Sequence, residues 1–119
     1  MTPDVLLLVN SAVLGGKPEV RDAGLVAAAA ARPHANLSGA ESYPSIEEKA
    51  AALLHSIVRT RPFQRGNTST GWVALRMMLR CHGKRPGLTA TEAFDLLEEL
   101  RAVDLSVPEL VAALRVIDD

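Results

Sequence analysis

The sequence predicts an all-α fold, a compact bundle of about six helices forming one domain over residues 1–119. Three observations lead there. Apolar residues make up 48% of the chain but aromatic residues only 3%, so the core must be aliphatic. Alanine and leucine are abundant and β-branched runs are few, a composition that favours helix. Helix start and stop signals then recur along the whole chain.

Each element has its own justification. The first predicted helix, 3–14, has Thr2 as N-cap and Pro3 at the first helical position, where a missing N–H costs nothing. Gly15, Gly16 and Pro18 stop it. The second, 19–32, runs from near Glu19 to the break at Arg32-Pro33. The third, 46–60, opens on a capping box of Ser45 with Glu48, and Ile46, Ala50, Leu53, Leu54, Ile57 and Val58 share one face. Thr60 and Arg61-Pro62 end it. The fourth, 70–82, starts near Thr70 and ends at Gly83; Trp72, Met77 and Met78 are expected in the core. The fifth, 90–102, is capped by Thr89 with Glu92 and carries Ala93, Leu96, Leu97 and Leu100 on one side. The sixth, 107–115, is capped by Ser106 with Glu109, and Pro108 is tolerated in its first turn. The longest stretch without helix, "PHANLSGAESYPS" at 33–45, reads as a flap-like loop or a plain surface connection.

The net charge is −1, with no overall bias toward nucleic acid, but the charge is partitioned. Residues 59–85 hold seven basic side chains and no acidic one; the rest of the chain holds six basic and all 14 acidic ones. Such a local field attracts an anion, whether phosphate, nucleotide, nucleic acid or acidic peptide, and the alternative is a set of solvated arginines. Cys81 is the only cysteine, so no internal disulfide and no CxxC metal motif exist, and no His/Asp/Glu set has metal spacing. The apolar run Val5–Val9 follows Asp4 rather than a basic residue, unlike a signal peptide, and Gly24–Ala31 is too short to span a bilayer. The expectation is a cytoplasmic protein with no membrane partner.

One stretch concentrates candidate chemistry: "TRPFQRGNTSTGW", residues 60–72. From Gly66 to Gly71 it has the glycine spacing of a phosphate-binding P-loop, but Trp72 and Val73 stand where the required Lys and Ser/Thr would follow. That reading is excluded. The physics of a helix start remains: free N–H groups and the positive end of the helix dipole attract an anion. The candidate anion or ligand site is Arg61, Arg65, Gly66, Asn67, Thr68, Ser69, Thr70 and Gly71. The competing reading is that Thr68, Ser69 or Thr70 simply caps the helix.

These residues resemble a family. "GKPEVRDAGLVAAAAARPHA" at 16–35, "YPSIEEKAAALLHSIVRTRPF" at 43–63 and the Gly66-Asn67 turn make the chain similar to a small Doc-type member of the Fic/Doc superfamily, the toxin half of the Phd–Doc toxin–antitoxin type. The resemblance implies an all-helical core with a flap near an active loop of the form H-x-F-x-D/E-G-N-G/K-R. In that motif the histidine is the general base toward a protein hydroxyl, and the acidic residue positions metal or substrate. The Asn and Arg hold phosphates. Phe63, Gly66 and Asn67 match the motif, whereas Arg61 stands at the histidine position, Arg65 at the acidic one, Thr68 at Gly/Lys and Ser69 at the arginine. An arginine does not act as a base near neutral pH, and Arg65 repels a metal ion.

The resemblance therefore implies a degenerate Doc-like protein without phosphotransfer, binding an antitoxin-like or other partner protein, or a nucleotide such as ATP or phosphate, at 61–71. A second reading keeps an ATP-dependent phosphoryl or nucleotidyl transfer to a protein hydroxyl, with Arg61 and Arg65 stabilising charge. A third is a nucleic-acid-binding module built on the stripe of Arg76, Arg80 and Lys84, which reads equally as a solvated face or as a partner of acidic helices. Among the histidines, His55 is a candidate displaced base or a partly buried helix residue, His34 is expected to be structural, and His82 is expected to favour a helix dipole.

Overall fold

The computed structural model describes all residues 1–119 and contains six α-helices. They are α1 (Pro3–Leu14), α2 (Ala23–Ala31), α3 (Ile46–Thr60), α4 (Asn67–Arg80), α5 (Ala90–Ala102) and α6 (Val107–Leu114). A 3₁₀ turn, Arg32–His34, follows α2. Two two-stranded antiparallel ladders complete the chain: β1 (Asn36–Leu37) with β2 (Ala40–Glu41), and β3 (Lys84–Arg85) with β4 (Ile117–Asp118). No helix is long and apolar enough to cross a membrane.

The all-α bundle is as the sequence predicts. All three capping boxes form, each with the hydroxyl accepting from the N3 backbone N–H and the glutamate accepting in return. Thr2 accepts from the backbone of Val5, and Gly15 closes α1 in the left-handed conformation.

Helix α3 is the axis of the molecule. Eight of its residues are buried, and it packs against α2, α4, α5 and α6, most extensively against α4. The close α3–α4 approach has a local cause in Gly71: a Cβ there would lie 3.1 Å from Leu54 Cδ1 and 3.4 Å from Ile57 Cγ2. The core is aliphatic, with Phe63 its one large aromatic side chain.

Three expectations need correction. The second helix spans 23–31, not 19–32, because residues 19–22 bond to the loop after α3 instead. The Asp22 carboxylate then caps α2 by accepting from Leu25 N. The fourth helix begins at Asn67, three residues earlier than predicted, and ends at Arg80. Its N-cap is Gly66 at φ 76°, whose carbonyl accepts from Thr70 N, and no side chain caps it. Finally, Met77 is exposed and Trp72 only half-buried, while Met78 is buried. The segment 33–45 is not plain coil: its hairpin turns at Ser38 and Gly39, both at positive φ as a tight two-residue turn requires.

Candidate functional site

The 61–71 loop is held from three directions. Its extended part, Pro62–Gln64, lies antiparallel to residues 19–22 through a bridge between Val20 and Phe63. Pro62 O accepts from the N–H groups of Arg21 and Asp22, and Gln64 N donates to Glu19 O at 2.7 Å. The Phe63 ring anchors this strand in the core, 1% exposed. The Asn67 side chain then closes the turn from inside, accepting from Phe63 N at 2.9 Å and donating to Phe63 O at 2.8 Å. Gly66 sits against α1, where a Cβ would lie 3.0 Å from Leu14 Cδ2.

The third hold is Asn10, which the sequence reading passed over. It is fully buried on α1, donates to Arg65 O and Thr70 Oγ1, and accepts from Glu19 N at 2.9 Å. One amide thus ties α1, the 15–22 segment, the loop and α4 together. Its signal in the sequence was slight: a single amide in the apolar run "LLLVNSAVL". A buried amide costs folding free energy unless fully bonded, and this one is.

The eight candidate residues divide accordingly. Asn67, Thr70 and Gly71 are buried and turned to internal contacts. Gly66 supplies the left-handed turn. Thr68 and Ser69 lie in the first turn of α4 with hydroxyls that make no hydrogen bond, and the N–H groups of Asn67, Thr68 and Ser69 have no backbone partner. Arg65 reaches Glu19, with Nη2–Oε2 and Nε–Oε2 both at 2.9 Å. Arg61 is the left-handed C-cap of α3, and its carbonyl, with that of Thr60, accepts from the Arg21 guanidinium. Arg61 lines a depression of about 490 Å³ on the α5 side with Arg59, Glu98 and Arg101, a set that includes neither Thr68 nor Ser69.

The family model of the Fic/DOC family matches residues 1–79, which include this loop and α1 to α3. The chain belongs to the Fic/Doc family. It is also 36% identical over 111 residues to Toxin Doc of Mycolicibacterium smegmatis, covering 92% of this chain and 85% of that protein. Set on this loop, the Fic/Doc motif separates by direction. Its three matching positions, Phe63, Gly66 and Asn67, build the frame, and its four differing ones, Arg61, Arg65, Thr68 and Ser69, leave their side chains outside the core.

No histidine reaches this Fic/Doc loop through a hydrogen bond. His55 Nδ1 meets Arg32 Nη1 at 2.5 Å and its Nε2 meets Asp104 Oδ1 at 2.6 Å. Arginine only donates, so Nδ1 is the acceptor and Nε2 carries the proton toward Asp104. The His55 hydrogen bond, with the charges around it, holds the Asp104 carboxyl below its usual range. Arg32 also donates to Tyr43 Oη at 3.3 Å, so this cluster fastens the 3₁₀ turn and the hairpin segment to α3. His82 Nδ1 contacts Met78 O at the far end of α4, a C-terminal position suited to a helix dipole. His34 is exposed beside the hairpin.

Proposed function

We propose that this Fic/Doc chain has exchanged group transfer for binding. The carrying observation is Arg61 at the position of the family's base, together with a His55 whose two ring nitrogens are already engaged by Arg32 and Asp104. Neither residue accepts a proton from a hydroxyl brought to the loop. The frame, by contrast, is intact, and it presents the unpartnered amides of Asn67, Thr68 and Ser69 with the Thr68 and Ser69 hydroxyls, while Arg65 of the same loop reaches Glu19.

That arrangement suits a phosphate group, free or on a nucleotide such as ATP: amides and hydroxyls donate to its oxygens and the helix dipole adds to the attraction. Likeness to a protein named as a toxin supports a partner protein of the antitoxin kind. The test is calorimetry with ATP and with inorganic phosphate. Binding by the natural chain, weakened by Arg65→Ala and Ser69→Ala, is the expected result, and no heat with either ligand removes the anion half. Incubation with labelled ATP and cell lysate tests the other half: a labelled protein band, with or without added metal, overturns the loss of transfer.

A further inference from the structure

The opposite end of α4 carries a second concentration of charge. Val73 is followed three and four residues later by the adjacent Arg76 and Met77, and Arg80 lies four and three residues beyond them, so the four form one outward stripe, all exposed. Val73 and Met77 are 37% and 42% exposed, so apolar surface lies directly beside the two arginines. With Lys84, Arg85, Pro86 and Asp119 this stripe lines a cavity of about 320 Å³. Four cations converge on it, and they are not equally satisfied. Lys84 pairs with Asp118 at 3.1 Å and Glu47 at 3.5 Å, and Arg85 with Asp119 at 3.4 Å. Arg76 and Arg80 meet no carboxylate within 4.0 Å, and neither donates a side-chain hydrogen bond.

The chain itself shows what such a surface holds. β4 is an extended acidic segment, paired with β3 in register Lys84–Asp118 and Arg85–Ile117, and Asp119 N donates to Gly83 O at 2.8 Å. Half of the cations are therefore already matched by acids presented on extended backbone. We propose that the other half, Arg76 and Arg80 with Val73 and Met77 beside them, binds an extended acidic and apolar peptide segment of a partner protein.

The spacing fits. Arg76 and Arg80 rise about 6 Å from one another along the helix, and alternate residues of an extended peptide lie about 6.6 Å apart on the same side. Two acids separated by one residue reach both guanidiniums, each able to take a carboxylate bidentately. Flanking apolar residues cover Val73 and Met77. A nucleic-acid strand fits less well. The cavity offers no aromatic ring for base stacking. A strand also carries a phosphate at every step, which sets charge against Asp118, Asp119 and Glu47, whereas a peptide places acids only where arginines await them. Arg76 and Arg80 lie about 10–20 Å along α4 from the 67–69 amides, so the two sites are separate.

The probe is a fluorescein-labelled heptapeptide, Leu-Ser-Glu-Ser-Glu-Ser-Leu, followed by anisotropy at low salt, with the Gln-for-Glu peptide and an oligo(dT) as competitors. The expected result is binding that weakens with added salt, falls at least tenfold in Arg76→Ala/Arg80→Ala, and persists in Arg65→Ala/Ser69→Ala. Circular dichroism confirms that the double variant is folded, as two exposed arginines without partners predict. The proposal is overturned by absence of binding to the natural chain, by equal binding to Arg76→Ala/Arg80→Ala or by the Gln peptide, or by tighter binding of oligo(dT).

Discussion

At the scale of single residues, the loop divides between side chains turned inward and side chains left outside the core. Asn67 is held in place by its two hydrogen bonds to Phe63, which satisfy a buried N–H and C=O that nothing else reaches. Asn67→Ala leaves both unpaired, and the expected loss is about 2–4 kcal/mol, read from the urea midpoint. Thr68→Ala and Ser69→Ala remove hydroxyls that bond nothing, and each stays within about 0.5 kcal/mol of the natural chain. A cost at Ser69 as large as that at Asn67 would contradict this division. The motif's frame can thus persist for folding reasons alone, whatever becomes of its chemistry. Much of it was legible: Phe63, Gly66 and Asn67 stood out through the resemblance to the Fic/Doc motif. Asn10 did not, because its partners Arg65 and Thr70 lie 55 and 60 residues away, and no local pattern encodes such a meeting.

At the scale of elements, the caps were the most readable feature, since a capping box is complete within four residues. One of them predicts a pH dependence. Glu92 is lowered from the ordinary 4.5 to about 2, chiefly by the Thr89 backbone N–H and then by the Arg115 side chain. A carboxylate depressed on folding favours the native state above its ordinary value, and that contribution disappears as pH falls through about 2. Glu92→Gln should therefore lower the urea midpoint at neutral pH and flatten its dependence on pH over this acid range. An unchanged slope counts against the assignment. The α3–α4 contact gives a second prediction. Gly71→Val drives methyl groups toward Leu54 and Ile57, and overpacking costs about 1–3 kcal/mol, measurable by thermal or urea denaturation. The start of α4 was misplaced from sequence because three hydroxyl residues looked like caps, while the real N-cap is a glycine in the left-handed conformation, where a Cβ would also crowd Leu14 and Val13 of α1.

At the scale of the whole molecule, the partition of charge has a structural answer. Arg59 pairs with Asp104, Arg65 with Glu19, Lys84 with Glu47 and Asp118, and Arg85 with Asp119, so the basic stretch is neutralised mostly by acids from outside it. Arg61, Arg76 and Arg80 alone among its seven cations have no carboxylate within 4.0 Å. In about 1 M NaCl, where the screening length is about 3 Å, the exposed pairs weaken and the urea midpoint should fall. Arg76→Ala/Arg80→Ala should fall by the same amount, because neither residue contributes a pair; a smaller response would show that they do.

The sequence by itself determined the helical class, the caps, the aliphatic core and the family motif with its four departures. All of these are written in neighbours a few residues apart, within reach of a single helical turn. Only the tertiary structure decided which arginines remain free, that His55 is bound by Arg32 and Asp104, and that Asn10 holds the loop. Those outcomes depend on which distant segments meet when the apolar faces close, and ion pairs and buried amides are settled by that meeting rather than by sequence spacing.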